Sequence, residues 1–446
     1  MRNRIAALAG AFGLLFIATT AASAASIGTL AQLGAVALAQ NDDEERDPTE
    51  GRNVRRTPTM REAVYKKLSE AQTAAEADDM ATAREMIAEV QEMRNLSGYE
   101  TAQIYNFQAF IAYSSEDYPG AIRAYQTVLE QEDVPEAMYN QTLFSLAQLH
   151  FAVEDYAGAE RYLRQWMGVV PEPTADSYIL LAQAIYSQER YADALQPMEE
   201  GIALARANDI EVKEQWLLLL RVLHYEMENY PKVAEILEEL IRRFPKKQYW
   251  LQLSGVYGEL EQPERRLITL EIAYRQGLFD KEQEYMNLAQ LLMQQEIPYR
   301  GAQVLEDGIS KGVIEKTYKN MRVLGQAYLM AQEEEKAVDP LSEAAARSSD
   351  GDLDLQLANI YLNLEQFADA EASARNAIEK ETDREGDAWF MVGMALFSQE
   401  KLGDAQRAFE QATKDRDNRA AASQWITYIE KERERREQLA AAVSGP

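Results

Sequence analysis

Two histidines, His150 and His224, and no cysteine stand in a chain of 446 residues. Thiolate catalysis, disulfides, iron–sulfur clusters and Cys-ligated zinc all need cysteine, and most imidazole chemistry needs more histidine than this. Both histidines fall in apolar stretches at the same register, where a packed core histidine is the ordinary occupant. Asp415-Arg-Asp-Asn-Arg419 has the start of a calcium loop but lacks the glycine and closing glutamate at the spacing such a loop needs, so it reads as a solvated turn. The acidic run Asp42 to Glu45 lies in a polar stretch too loose to preorganise a metal site. No glycine-rich phosphate loop, H-E-x-x-H or G-x-S-x-G is present. The reading is a non-enzyme, with no catalytic residue, no metal and no cofactor.

A different set of side chains could bind. Tyr113, Phe151, Tyr186 and Tyr225 recur at intervals of 38, 35 and 39 residues. Three residues before the first three stand Phe110, Gln148 and Gln183, and Gln290 and Gln326 continue that register. Aromatic faces cover apolar side chains, while amides pair with the N–H and C=O of an extended backbone. Together they are the candidate peptide groove. The other reading has the aromatic positions packing between neighbouring helices.

Elements must bring residues so far apart onto one face, and the chain supplies them by repetition. A recurring phrase sets an aromatic or apolar residue three positions before a small one, with apolar residues four and seven positions after the small one. Examples are Tyr118-Pro-Gly-Ala121, Tyr156-Ala-Gly-Ala159, Tyr191-Ala-Asp-Ala194, Phe367-Ala-Asp-Ala370 and Leu402-Gly-Asp-Ala405. The small residues align at Ala83, Ala121, Ala159, Ala194, Val233, Arg266, Gly301, Ala337, Ala370 and Ala405, spaced by 38, 38, 35, 39, 33, 35, 36, 33 and 35. A period near 34 to 36 built on a helix–turn–helix is the tetratricopeptide signature. Each unit is then two antiparallel helices, A and B. The partner motif on helix A reads Leu146-Ala147, Leu181-Ala182, Leu288-Ala289, Leu324-Gly325, Leu357-Ala358 and Val392-Gly393. Pro119 and Pro231 fall at the first turn of helix B, where a missing N–H is harmless, and Pro171 and Pro245 fall between units. Pro197 and Pro340 lie inside helix B and predict bends there. The weakest units are the first and the sixth, where Arg266 replaces the small residue.

The expected fold is an all-α tetratricopeptide superhelical solenoid of about ten helix–turn–helix repeats over residues 57–418, with a capping helix and tail over 419–446. Trp425, Ile426 and Ile429 suit packing on the last repeat, and the charged stretch 431–438 suits a polar cap. In this register His150 and His224 occupy helix-A position 11, and the aromatic series occupies position 12 of a face turned toward the superhelix interior. Position 5 reads Asn106, Phe144, Ile179, Leu218, Leu251, Met286, Arg322, Leu355 and Phe390. It is mainly apolar, so the Lys/Asn clamp by which some repeat proteins hold a C-terminal carboxylate is not assembled.

Residues 1–39 read as an export signal. Arg2 and Arg4 precede the apolar run 5–18, and cleavage fits either after Ala24 or after Ala39. The minority reading is an uncleaved inner-membrane anchor; after cleavage no membrane insertion remains. Residues 40–56 are charged, lack apolar periodicity and read as a disordered linker. The 74 acidic and 46 basic side chains give a net charge of −28, which loss of the signal deepens by two. Such a surface disfavours nucleic acid. An exported chain without cysteine is expected in the periplasm of a Gram-negative cell.

Several blocks carry a further resemblance. Arg55-Arg-Thr-Pro-Thr-Met-Arg-Glu-Ala-Val-Tyr-Lys-Lys-Leu-Ser-Glu-Ala-Gln72, Lys213-Glu-Gln-Trp-Leu217 with Leu220-Arg221, Phe244-Pro-Lys-Lys-Gln-Tyr-Trp250, Leu253-Ser-Gly-Val-Tyr-Gly258 and Asn287-Leu-Ala-Gln-Leu291 resemble periplasmic repeat proteins accompanying TonB–ExbB–ExbD systems. The resemblance spans about residues 55 to 440. It implies an accessory of energy-coupled outer-membrane uptake, such as iron–siderophore import, with no catalytic residues to carry over. The implied partner is a protein or extended peptide, namely a periplasmic segment of TonB or ExbD or a TonB-dependent receptor. TonB-type linkers carry Lys-Pro stretches that a negative surface attracts. The competing expectation is a general envelope scaffold for pilus, polysaccharide or outer-membrane protein assembly.

Overall fold

The computed structural model describes residues 59–443; the predicted signal segment and most of the charged linker lie outside the described residues. Small and large apolar residues alternating at helical spacing pair into helical hairpins. Among the described residues there are 21 helices and no strand. The A helices are α1 (Glu62–Glu76), α3 (Gly98–Ser114), α5 (Glu136–Ala152), α7 (Ala175–Tyr186), α9 (Glu214–Glu226), α11 (Lys247–Glu259), α13 (Glu282–Gln294), α15 (Tyr318–Met330), α17 (Asp352–Asn363) and α19 (Glu385–Ser398). The B helices are α2 (Met80–Gln91), α4 (Tyr118–Leu129), α6 (Tyr156–Val169), α8 (Tyr191–Ala207), α10 (Tyr230–Arg243), α12 (Pro263–Arg275), α14 (Pro298–Ser310), α16 (Glu334–Ala345), α18 (Phe367–Glu379) and α20 (Leu402–Ala412), and α21 (Arg419–Val443) closes the stack. Each helix packs on the one before it and the one after it, which is the nearest-neighbour architecture of an all-α solenoid. Successive A helices also touch directly, as α1 does α3 and α17 does α19.

The small anchors do what their size allows. Ala83, Ala121, Ala159, Ala194, Ala337, Ala370 and Ala405 are fully buried, and at the anchor Gly301 an added Cβ would come within 3.0 Å of the Ala289 carbonyl on its helix A. An added Cβ on Gly325 would overlap Leu341, and one on Gly393 would come within 2.7 Å of the Phe409 ring. Such overpacking costs about 1–3 kcal/mol. Pro119 and Pro231 sit at the first turn of their helices, whereas α8 and α16 continue through Pro197 and Pro340. The apolar core runs from Leu143 to Tyr257 and resumes at Leu267. Arg266 stands in that gap. Its side chain lies over Gly258, filling space that an aromatic occupies in earlier repeats.

At the C-terminal end, Trp425 of α21 stacks on Phe409 (5.7 Å, 6° between planes) and tilts against Phe397 at 5.0 Å, while Ile429 is fully buried. Beyond it the helix is charged and exposed. Among the described residues no helix is long and apolar enough to cross a membrane.

Candidate functional site

The A-helix layer is chemically segregated. In the nine A helices from α3 to α19, no Asp or Glu lies between the fourth residue and the last but one. Only Arg221 and Arg322 bring charge there, in a chain with 74 acids. On this neutral floor the predicted groove residues fall into two groups. Tyr113, Phe151, Tyr186 and Tyr225 each meet the first residue of their own B helix across the A–B turn. The couples are Tyr113–Tyr118 (5.9 Å), Phe151–Tyr156 (5.2 Å), Tyr186–Tyr191 (5.5 Å) and Tyr225–Tyr230 (5.9 Å). Each position-12 ring therefore packs against its own B helix; Tyr113 is 38 % exposed, while Phe151, Tyr186 and Tyr225 are half-buried against the core. Phe110 instead tilts against Phe107 at 5.8 Å beside the core of the first repeats. Burial and the nearby Tyr191 and Glu226 push the Tyr186 hydroxyl up, so it stays a hydrogen-bond donor.

The amides separate by register. Gln148, Gln290 and Gln326 are exposed and Gln183 is half-buried. Gln103, Gln141 and Gln283, near the starts of their helices, bond to Tyr99, Ser145 and Asn287 four residues away. Gln148 and Gln183 lie one turn before Phe151 and Tyr186, whereas Gln290 and Gln326 lie beyond Gly258, where the aromatic couples have stopped.

The A–B turns hold a feature the repeat phrase did not single out. All ten carry a residue in the left-handed region, and eight of these are exposed glutamates: Glu116, Glu154, Glu189, Glu228, Glu261, Glu296, Glu365 and Glu400, with φ of 55–62°. Asp78 and Gln332 complete the set. Glycine or asparagine is the usual choice for this conformation. Every one of the ten stands five residues before the small anchor, so aligning the anchors exposes the pattern in the sequence. Four of the glutamates sit inside the aromatic couples, between the A-helix ring and the B-helix tyrosine.

A second unanticipated feature lies in α9 to α12. Seven side-chain polar atoms among the described residues are enclosed without a hydrogen-bond partner, and five of them are here: Arg221 Nε, Trp250 Nε1, Gln252 Oε1, Gln262 Oε1 and Arg266 Nε. Enclosed polar atoms are normally satisfied, so such a cluster marks a site or a strained region. Arg221 occupies the helix-A position that is alanine or glycine in eight other repeats, and it is 9 % exposed. Burial pulls its pKa down, opposed by the nearby hydroxyls of Tyr249, Tyr225 and Tyr186. Guanidinium remains protonated in such surroundings.

The histidines are packing residues. His150, 7 % exposed, pairs its Nδ1 with Asp155 Oδ2 at 2.7 Å and tilts against Tyr162 at 5.1 Å. Asp155 Oδ1 accepts the Gly158 N–H at 3.0 Å, capping α6. An alanine at 158 would drive its Cβ into His150, so glycine is required there. His224, 4 % exposed, is pushed down by burial and lies 3.7 Å from Glu199. Residues 413–418 form the turn before α21, with Asp415 accepting the N–H groups of Asp417 and Asn418.

Residues 144–209 and 355–421 match the family model described as tetratricopeptide repeat. Similar solved structures include a tetratricopeptide repeat protein from Parabacteroides merdae ATCC 43184, 13 % identical over 64 % of this chain and 93 % of that one, with a TM-score of 0.34. The TPR2AB domain of yeast Sti1 in complex with pHSP90 is 12 % identical over 66 % and 99 %, with a TM-score of 0.23. YrrB, a TPR protein with an unusual peptide-binding site, is 12 % identical over 42 % and 89 %, with a TM-score of 0.32. No curated protein matches the chain. The described residues are thus an all-α solenoid of tetratricopeptide-like repeats.

Proposed function

We propose that this chain is a non-catalytic periplasmic scaffold that holds an extended protein segment along its A-helix face and A–B turn edge. In this reading it serves TonB–ExbB–ExbD energy-coupled uptake across the outer membrane, such as iron–siderophore import. The segment would come from TonB, ExbD or a receptor and carry Lys-Pro stretches. The observation that carries the binding mode is the edge where four partly exposed aromatic couples alternate with Glu116, Glu154, Glu189 and Glu228. Ring faces cover proline and the aliphatic stem of lysine and attract the ammonium, while glutamates neutralise it. Neighbouring Gln148 and Gln183 can address the segment's backbone. The system to which the scaffold belongs rests on the sequence resemblance.

Capture of TonB and ExbD from a deletion strain by the purified chain, at low and high salt, tests the partner. Salt-sensitive TonB capture supports it; absent or salt-insensitive capture overturns it. Tyr186→Ala with Tyr225→Ala tests the surface. Capture is expected to fall more than thermal stability, and the reverse would return these rings to a packing role.

A further inference from the structure

We infer that Arg221 is the seat for one carboxylate side chain, an Asp or Glu, on the segment held along the A-helix face. This rests on the groove reading above and adds the identity of one ligand group.

Arg221 and Arg322 alone carry charge in the interiors of the A helices from α3 to α19. Arg322 is exposed and donates to the Tyr318 hydroxyl at 3.4 Å. Arg221 is 9 % exposed, its Nε is enclosed without a partner, and no carboxylate forms an ion pair with it among the described residues. Tyr249 beside it donates its hydroxyl proton to Glu214, and Lys246 holds that same carboxylate at 2.7 Å. The Glu214 carboxylate, which shares Tyr249 with Arg221, is thus already committed. Packing does not call for arginine here, since Ala147, Ala182, Ala289, Gly325, Ala358 and Gly393 fill the same position elsewhere. A guanidinium taken out of water without a counter-ion is costly, and its planar fork matches a carboxylate in two parallel hydrogen bonds.

What lies around it fits a segment passing through. Upstream run the aromatic couples. Downstream, the space above Gly255 is open, with Gln252 Oε1 and Trp250 Nε1 enclosed and unpartnered in the same helix. A floor that continues on both sides favours a mid-segment side chain over a chain terminus.

The test pans a displayed random dodecapeptide library, fused at its C-terminus so that no free end is presented, against the full chain and its Arg221→Met and Arg221→Lys variants. The wild type is expected to enrich peptides with one Asp or Glu at a fixed place. Synthetic amidated versions should bind Arg221→Met at least about tenfold more weakly. The Glu→Gln peptide should lose a similar factor on the wild type and little more on the variant, with Arg221→Lys intermediate. Arg221→Met is expected to keep or raise the thermal midpoint, because it removes an uncompensated charge; a marked drop would assign Arg221 to packing and overturn the inference. Enrichment without an acid, still weakened by Tyr186→Ala, overturns the Arg221 assignment and leaves the groove. Binding that needs a free C-terminus overturns the side-chain source. No enrichment at all overturns both.

Discussion

Four glutamates held in an unfavourable backbone region offer a test that separates binding from stability. The perturbation is the joint replacement Glu116→Gly, Glu154→Gly, Glu189→Gly and Glu228→Gly, at φ of 59, 60, 61 and 55°. A non-glycine residue in this region costs roughly 1–2 kcal/mol, and glycine returns roughly 0.5–1 of that through its freer unfolded chain. Each change therefore stabilises its repeat by about 0.5–1 kcal/mol, or about 2–4 kcal/mol for the four. All four carboxylates are exposed. An exposed ion pair contributes roughly 0.2–1 kcal/mol, so four contacts to a basic segment at about 0.4 each give about 1.6 kcal/mol, or about fifteenfold in Kd. Fluorescence anisotropy with a labelled (Lys-Pro) repeat peptide reads the affinity, and urea unfolding reads the stability. The expected result is weaker binding at low salt, convergence with wild type as the screening length shrinks from about 10 Å at 0.1 M to about 3 Å at 1 M, and a higher urea midpoint. The matching Glu→Gln set should lose affinity without the gain in stability, since Gln332 already occupies one such turn. A lower midpoint for the glycine variant refutes the strained-turn account. Unchanged low-salt affinity refutes the acidic edge as the docking surface.

Three further outcomes follow from the packing. Burial alone would push the Glu100 carboxyl up, but hydrogen bonds from Arg61 and from the Ser97 and Arg61 backbone N–H groups bring it down to about 2. Its folded value is therefore below its unfolded one, so its contribution is complete above about pH 4.5 and is lost as pH falls toward 2; Glu100→Gln should cost about 2–3 kcal/mol near neutrality and remove the acid-dependent rise in hydrogen exchange of α1 and α3. Gly158→Ala should cost about 1–3 kcal/mol by displacing His150 from Asp155, and His150→Ala in the same chain should recover part of that loss in a calorimetric comparison. Trp425→Ala removes the ring that joins α21 to Phe409 and Phe397; about 3 kcal/mol of local stability should go, read as fast amide exchange in α21 while α7 to α13 stay protected.

Much of the fold was legible because a solenoid uses one local solution ten times. Ala83 to Ala405 marked the B helices, Pro119 and Pro231 their starts, and Trp425 with Ile429 the closing contact. The charged turn at Asp415 and the packed histidines also followed from spacing alone. The site was less legible. Tyr113, Phe151, Tyr186 and Tyr225 share one helix-A register, and only the tertiary structure reveals that each leans on its own B helix. The left-handed glutamates were present as a period, five residues before each anchor, yet glutamate carries no local preference for that conformation and so gave no signal as a turn former.

By itself, the order of residues determined the helix–turn–helix period, which side chains are small enough to be buried between helices, and the absence of thiol chemistry. Those properties depend on neighbours a few positions away or one repeat away. The tertiary structure alone decided that the Nε atoms of Arg221 and Arg266 are enclosed without a partner and that Glu214 is already taken by Tyr249 and Lys246. Whether a buried charge is satisfied depends on what converges on it from three or four helices at once. In a chain with 74 acids, no one-dimensional pattern states which of them arrives and which stays away.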